Sequence, residues 1–351
     1  MAQPQDVTAL VTTVLDAAAS DGHCVLPHDV VISLLIGRGL TPEAADAAVA
    51  DALDAGTVVR PTPHLLARAD LAEAETWLAD RLGRLALDGG LLLVDSPAGA
   101  ASEELAAELV DVHPITDADA LDVPALAAAL RPVPDDTAIA LVGDAGMPPP
   151  AGPGRPFAEL VACADSLDIP VERQEAPAGP IGALCAAVRA GTLPAAPQDP
   201  QRRLVIVHAP DSLAARHRAQ QLVTDSIPRV FGLGLDDIAV VTPMSRGPAG
   251  AAALREAGLP AYTLAQARRR RWPAVVAMLP AEACGLLTRE VVYGLFSRAE
   301  QHLSIVHAAS AALAHAVRHV PSRPRRTRLT SLIGGVVLNG SPEGVVFATS
   351  R

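Results

Sequence analysis

The chain of 351 residues contains no lysine, because all 28 of its basic residues are arginines. Aromatic residues make up only 2% of the chain, so the core must consist mainly of alanine, leucine and valine side chains. The four cysteines, Cys24, Cys163, Cys185 and Cys284, are far apart and form no CxxC pair. This spacing predicts free thiols rather than a zinc site or a disulfide framework.

Two further absences concern targeting. No stretch reaches the roughly 18 consecutive apolar residues of a membrane span. The N-terminal segment also lacks a basic cluster followed by an apolar run, which a signal peptide would show. We therefore expect a cytoplasmic protein without a membrane segment. The high content of alanine, arginine and proline is typical of a bacterium with a GC-rich genome.

Acidic and basic residues are separated along the chain, although the net charge is −11. Residues 1–200 contain 30 acidic side chains and 9 arginines, whereas residues 201–351 contain 9 acidic side chains and 19 arginines. A polyanion such as DNA would therefore bind the C-terminal half.

The first 88 residues are predicted to form a small, mainly helical domain. Helices are expected over 6–20 and 27–38, and a third helix begins after Thr41, which can cap it, and runs to Gly56. The segment 57–68 alternates like a hairpin. Three helices followed by a hairpin are typical of a winged helix, and one more helix over 71–87 follows.

The remainder alternates short apolar runs with helices, which predicts a parallel α/β structure. The expected strands are Leu91–Val94, Ile139–Val142, Leu204–Val207, Ile238–Val241, Val275–Leu279 and Leu303–Val306. The proline-rich segment 193–200 is typical of a linker between two α/β units.

Five segments, taken in order, are similar to RecD-like superfamily 1 DNA helicases. The most specific is LVGDAGMPPPAGPGRPFAEL at 141–160, which resembles the third helicase motif. The others are 22–68, 180–194, 227–253 and 291–306. The similarity covers roughly residues 22–330 and points to the long-form branch, in which a winged-helix or helix-hairpin-helix module precedes the motor.

This resemblance implies a winged-helix domain followed by a reduced body of two RecA-like lobes of the P-loop NTPase type. The implied parts are a winged-helix domain at 1–88, a truncated first lobe at 89–195, a second lobe at 196–335 and a tail at 336–351. There is no room between Leu254 and Tyr262 for the inserted β-barrel with which the family grips single-stranded DNA.

The segment 91–109 resembles the P-loop but lacks its chemistry. Asp95 and Ser96 replace glycine, and Ala101 replaces the lysine that contacts the β- and γ-phosphates, while Ser102 keeps the hydroxyl that would bind magnesium. A carboxylate near the phosphates and the loss of a charge-assisted bond should weaken nucleotide binding by several kcal/mol.

The other motifs are also eroded. Thr116 and Asp117 stand in place of the Asp-Glu pair, after a strand that His113-Pro114 should interrupt. Met147 replaces the phosphate-sensing glutamine, and Arg298 is retained where the family has its γ-phosphate arginine. The resemblance therefore implies a vestigial nucleotide site made of Ser102, Asp117 and Arg298.

Two of these residues also have a structural interpretation. Without a P-loop, Arg298 is expected to form an ion pair with a carboxylate rather than to contact a phosphate. Asp144 is expected to cap a turn rather than to bind magnesium. His315 and His319 are spaced for a shared zinc ion, but an ordinary helix face is favoured because the glutamate of the HExxH pattern is absent.

Two arginine-rich tracts are the candidate nucleic-acid-binding residues. They comprise Arg268, Arg269, Arg270, Arg271, Trp272, Arg323, Arg325, Arg326 and Arg328. Arginine beside an aromatic ring can hold phosphates and stack on bases, although a solvated or internally paired surface is the alternative. The third helix carries only acidic charges, which predicts contact with a protein partner rather than with DNA.

The sequence therefore predicts a pseudoenzyme without catalytic residues, without a metal and without a cofactor beyond weakly bound Mg-ATP. Its expected role is that of a catalytically inactive helicase relative that acts as a DNA-associated or protein-binding scaffold. Two alternatives stay open, namely an ATP-dependent DNA helicase or ATPase and a nucleotide sensor that does not hydrolyse. The missing lysine argues against the first alternative.

Overall fold

Three β-sheets organise the residues that the computed structural model describes, which are 4–97, 107, 109, 111–194, 199–308 and 310–340. An antiparallel sheet of three strands lies near the N-terminus, and two parallel sheets of four and five strands follow. The prediction of an α/β body with parallel strands is therefore confirmed. Within these ranges, no helix is long and apolar enough to cross a membrane.

Three helices and the antiparallel sheet share one apolar core at the N-terminus. The elements are α1 (Pro4–Ser20), β1 (Leu26–Pro27), α2 (His28–Ile36), α3 (Pro42–Asp54), β2 (Val58–Thr62) and β3 (Leu65–Arg68), and the strand order is β1–β3–β2. As predicted, the side chain of Thr41 caps α3 by accepting a hydrogen bond from the Ala44 amide. The predicted helices and hairpin are thus present.

The first parallel sheet has the strand order β5–β6–β4–β7. Its strands are β4 (Leu91–Asp95), β5 (His113–Ile115), β6 (Ile139–Gly143) and β7 (Val171–Arg173), and the helices of this part are α4 (Ala69–Leu87), α5 (Val123–Leu130), α6 (Pro156–Cys163) and α7 (Pro180–Arg189). Contrary to the prediction, Pro114 does not interrupt β5. The strand lies at the sheet edge, where a proline removes no necessary hydrogen bond.

The second parallel sheet has the strand order β10–β9–β11–β12–β8. Its strands are β8 (Leu204–His208), β9 (Ile238–Thr242), β10 (Ala261–Thr263), β11 (Trp272–Leu279) and β12 (Ala299–His307). Its helices are α8 (Ser212–Gln221), α9 (Ile227–Phe231), α10 (Ala251–Glu256), α11 (Leu264–Ala267), α12 (Arg289–Phe296) and α13 (Ser310–His319). We call the bodies around the two parallel sheets the first and second lobes.

Each lobe receives a helix from the other half of the chain. Helix α7 precedes the second sheet in sequence, yet Leu184 and Val188 are buried in the second-lobe core. The last helix, α14 (Leu329–Gly340), packs on α4, and Leu329 and Ile333 are buried in the first-lobe core. The boundaries implied at 195 and 335 therefore do not coincide with the packing of these two helices.

The segment that leads to α14 crosses the first lobe and the N-terminal domain. The Arg325 guanidinium donates to the carbonyls of Pro150, Gly152 and Gly154. The carbonyl of Arg326 accepts hydrogen bonds from the amides of Cys24 and Val25. The amide and the hydroxyl of Ser322 donate to Glu290 of α12 in the second lobe. These contacts join the N-terminal domain and both lobes through one segment of the chain, which we define as the strap, Ser322–Arg328.

Candidate nucleotide and nucleic-acid site

The carboxyl edge of the first sheet gathers four aspartates. Asp95 ends β4, Asp117 and Asp119 follow β5, and Asp144 follows β6. In parallel α/β sheets this edge is where ligands bind. The segments that resemble the first three helicase motifs therefore meet at one edge, where the resemblance implies a nucleotide.

Asp95, at the end of β4, forms an ion pair with Arg189 from α7. The Nη2 atom of Arg189 lies 2.6 Å from Oδ2 and 2.8 Å from Oδ1 of Asp95. The same carboxylate accepts a hydrogen bond from the Ala145 amide at 3.0 Å. Burial alone would lower the pKa of Arg189, but the carboxylates of Asp144 and Asp95 raise it.

The arginine tract of the second lobe pairs with the aspartates after β5. Arg268 lies 2.8 Å from Oδ2 of Asp119 and also donates to the Asp119 carbonyl at 2.6 Å. Both side chains are largely buried, at 16% and 12% exposure. Arg269 lies 3.2 Å from Asp117 and is 60% exposed. The predicted Asp117 is thus held by an arginine of the same chain.

Asp144 is fixed by a turn and by a tyrosine of α12. Its Oδ1 accepts a hydrogen bond from the Gly146 amide at 2.9 Å, which confirms that it caps a turn. Its Oδ2 accepts from the Tyr293 hydroxyl at 2.6 Å. Burial raises the pKa of Asp144, and burial together with Asp144 also raises the pKa of Tyr293.

We call these four contacts between the lobes the interlobe latch. Its members are the pairs Asp95–Arg189, Asp117–Arg269, Asp119–Arg268 and Asp144–Tyr293. In each pair an aspartate at the edge of the first sheet contacts a side chain of the second lobe, or of α7, which packs in the second-lobe core.

Arg298 is buried behind the latch, at 7% exposure. Its Nη1 donates to the Arg268 carbonyl at 2.5 Å, and its Nη2 donates to the Ser297 hydroxyl at 2.9 Å and contacts the Met147 sulfur at 3.6 Å. Burial lowers its pKa. Among the described residues its contacts include no carboxylate, so the expected ion pair is replaced by hydrogen bonds to neutral acceptors.

The vestigial nucleotide site is only partly described by the structure. Ala101 and Ser102 lie outside the described residues. Asp117 and Arg298 belong to the same interlobe region, but each contacts the first arginine tract. Asp117 pairs with the side chain of Arg269, and Arg298 donates to the carbonyl of Arg268. The Met147 sulfur accepts a hydrogen bond from the Ser297 hydroxyl and contacts the Arg298 guanidinium.

The rest of the first arginine tract packs on the second lobe. Arg270 is exposed and lies over the rings of Tyr262 and Trp272, at 5.0 and 4.8 Å from their centroids. Arg271 lies 3.6 Å from Glu300. Trp272 is only 4% exposed, so a base could not stack on its ring without displacing Arg270 or other covering groups.

All four arginines of the second tract lie on the strap, but only two of them face solvent. Arg328 forms a buried ion pair with Glu75 at 2.8 Å, and Arg325 binds three backbone carbonyls. Arg323 and Arg326 are exposed. The described surface thus keeps four exposed guanidinium groups from both tracts, those of Arg269, Arg270, Arg323 and Arg326.

The sequence interpretation did not identify Asp119, Arg189 and Tyr293 as residues of this edge. Asp119 follows a strand that the sequence pattern predicts to be interrupted. Arg189 and Tyr293 lie within two of the resembling segments, 180–194 and 291–306, but the resemblance assigned neither of them a role. The available signal for Asp119 was a pair of aspartates separated by one residue, Asp117 and Asp119.

Comparisons with known proteins give no family for this chain. No protein-family model matches it, and no curated protein is similar to it. Among solved structures, the PRRSV helicase has 12% identity and a TM-score of 0.41, over 74% of this chain and 60% of that one.

The arterivirus nonstructural protein 10 helicase is similar at the same low level. Its structure alone gives 13% identity and a TM-score of 0.33, over 71% of this chain and 67% of that one. Its complex with DNA has 12% sequence identity and a TM-score of 0.35, over 74% of this chain and 70% of that one. These TM-scores are too low to establish a shared fold, so the similarities assign neither fold nor function.

Proposed function

We propose that the chain is a catalytically inactive relative of RecD-like helicases that works as a scaffold or accessory factor. The interlobe latch is the observation that carries this proposal. At the edge where the sequence resemblance implies nucleotide phosphates, Asp95 and Asp119 are buried and paired with Arg189 and Arg268 of the same chain.

The latch opposes nucleotide binding in two ways. A triphosphate near β4 would meet the Asp95 carboxylate, and its repulsion is not screened by water because the side chain is only 6% exposed. To compensate, the nucleotide would have to take Arg189 from Asp95, which would leave a buried carboxylate without its partner. The chain also has no lysine to replace the one missing from the P-loop.

The proposed partners are DNA on one surface and a protein on another. The exposed guanidinium groups of Arg269 and Arg270 at the lobe junction are suited to phosphate contacts. The N-terminal domain, which we interpret as a winged helix, exposes Glu43, Asp46 and Asp54 on α3. These charges disfavour DNA at α3 and favour a basic protein surface there.

The first test is ATP hydrolysis by the full chain, with and without single-stranded DNA. We expect no hydrolysis above background, because neither the phosphate-binding lysine nor the glutamate of the second motif is present. Ser102→Ala provides the matched variant. Magnesium-dependent hydrolysis that disappears in Ser102→Ala would show that the first motif still works and would contradict the proposal.

The second test is fluorescence anisotropy of labelled single- and double-stranded DNA over a range of salt concentrations. We expect micromolar binding that weakens with salt, and a loss of about tenfold when Arg269 and Arg270 are both changed to alanine, since each removed phosphate contact reduces the electrostatic contribution. Arg84→Ala, on the exposed face of α4, is the control. Equal losses in both variants would mean that binding depends on net charge and not on this surface. Absence of binding at low salt would leave only a protein scaffold.

A further inference from the structure

A cavity of about 640 Å³ lies beside the interlobe latch. Its walls come from α6 in the first lobe, from the start of α12 in the second lobe and from the strap. Its volume falls in the usual range of roughly 300–1,000 Å³ for small-molecule sites. The cavity is therefore large enough for a small ligand held between three parts of the chain.

Four arginines line this cavity and form no ion pair with a carboxylate within 4.0 Å in the described part of the chain. They are Arg155, Arg289, Arg323 and Arg325. We call this set the arginine cavity. Arg189 also reaches it, but the positive charge of Arg189 is already neutralised by Asp95.

Backbone carbonyls hold three of these guanidinium groups in place. Arg155 donates to the carbonyls of Ala145 and Met147 at 3.2 and 3.3 Å, and Arg289 donates to that of Val317 at 2.9 Å. Arg325 donates to three carbonyls of the segment 150–154. Carbonyl oxygens orient a guanidinium group but do not cancel its charge, so these groups are preorganised for an anion.

Two glutamates line the same cavity but do not balance the four arginines. Glu290 accepts hydrogen bonds from the amide and the hydroxyl of Ser322, both at 2.8 Å. Glu159 accepts from the Thr327 hydroxyl at 2.7 Å, and burial raises its pKa. Burial lowers the pKa of both Arg155 and Arg325. The cavity thus keeps an excess of closely spaced positive charge that a bound anion would stabilise.

We propose that the arginine cavity binds a ligand with two or three adjacent phosphate groups. Guanidinium groups recognise phosphate oxygens through paired hydrogen bonds, and several of them around one open cavity suit a chain of phosphates better than a single phosphate. The site is separate from the vestigial nucleotide site, because neither Asp117 nor Arg298 lines it. The phosphates belong either to a free small molecule or to a nucleic-acid terminus.

The test is isothermal titration calorimetry of the full chain with sodium tripolyphosphate at low salt. We expect saturable binding of one equivalent and a loss of affinity of at least tenfold in Arg323→Glu. Arg323 is exposed and makes no hydrogen bond or ion pair among the described residues, so its replacement should not impair folding. Arg229→Glu, which changes the charge equally on the remote helix α9, is the control.

Three results overturn the proposal, and two support it. Absence of saturable binding, equal weakening by both variants, or tripolyphosphate binding no tighter than binding of inorganic sulfate would each exclude a specific polyphosphate site. Displacement of tripolyphosphate by a 5′-phosphorylated oligonucleotide, but not by the unphosphorylated one, would identify a nucleic-acid terminus as the source. Binding that neither oligonucleotide displaces would identify a free small molecule. None of these results depends on whether the chain hydrolyses ATP.

Discussion

The ion pair between Glu75 and Arg328 is the most buried charge pair of the described residues. Glu75 is fully buried on α4, and the Nε atom of Arg328 lies 2.8 Å from its Oε2. The Arg328 amide donates to the other carboxylate oxygen at 2.6 Å. Burial raises the pKa of Glu75, although the bonds from Arg328 oppose this. The pair fixes the end of the strap to the first lobe.

Arg328→Met should lower the free energy of unfolding by about 3–5 kcal/mol at pH 8, because it leaves a buried carboxylate without a charge partner. Urea unfolding measures this change. Glu73→Gln is the control, since Glu73 is 77% exposed and lies 3.9 Å from its partner Arg131. It should change stability by less than about 0.5 kcal/mol.

The loss in free energy of unfolding caused by Arg328→Met, which we call the deficit, should also depend on pH. The pKa of Glu75 in the folded chain lies above its ordinary value of about 4.3. Between these two pKa values the folded chain binds more protons than the unfolded chain, so the free energy of unfolding falls as pH rises. Loss of Arg328 raises the folded-state pKa of Glu75 further. The deficit should therefore be larger at pH 8 than at pH 5, and a deficit independent of pH would show that Glu75 is not the source.

At the scale of elements, the packing of α14 on α4 depends on one glycine. A Cβ atom added at Gly83 would lie 2.7 Å from Cγ1 and 2.8 Å from Cβ of Val336. Both atoms are close to the backbone, so Val336 cannot move aside without moving its helix. Glycine at this position therefore permits close contact between the two helices, despite its low helix propensity.

Gly83→Ala should lower the free energy of unfolding by about 1–3 kcal/mol through overpacking. Gly335→Ala, within α14, should instead be neutral or raise it by up to about 1 kcal/mol, because no atom lies within 4 Å of the added Cβ. Thermal or urea unfolding measures both. Val336→Ala removes Cγ1 but keeps Cβ, so it should reduce the penalty of Gly83→Ala without abolishing it. Stabilisation by Gly83→Ala alone would show that the contact is not tight.

At the scale of the whole molecule, the interlobe latch couples the two lobes. Asp119 and Arg268 come from opposite lobes, are separated by 149 positions and form three hydrogen bonds. Because both side chains are largely buried, the pair should be coupled more strongly than an exposed pair. The latch thus holds the lobes in one relative position.

Asp119→Asn and Arg268→Gln should each destabilise the chain, and the double variant should cost less than the sum, with a coupling energy of about 1–3 kcal/mol. Hydrogen exchange should accelerate over residues 116–119 and 264–270 in all three variants. Asp225 and Arg229, an exposed pair on one helix, provide the control cycle, with an expected coupling near 0.3–0.5 kcal/mol. Additive effects at Asp119 and Arg268 would mean that no latch operates.

Much of the fold was predictable from local patterns. Long apolar runs such as Leu91–Val94 and Ile238–Val241 became β4 and β9, because a strand that is buried on both faces must be apolar throughout. The short strands β5, β7 and β10 were missed. Each has only three residues and lies at a sheet edge, so its pairing depends on a neighbouring strand and not on its own pattern.

The sequence by itself determined that the chain has no lysine to contact a phosphate, and where most of the helices and apolar strands lie. Only the tertiary structure decided what the arginines do. The local sequence predicts a basic surface for the tracts that contain Arg268 and Arg328. In the structure, both arginines are paired with carboxylates of another part of the chain. The partner of a charged side chain depends on which strand ends meet, and those contacts are set by long-range packing that the local pattern does not encode.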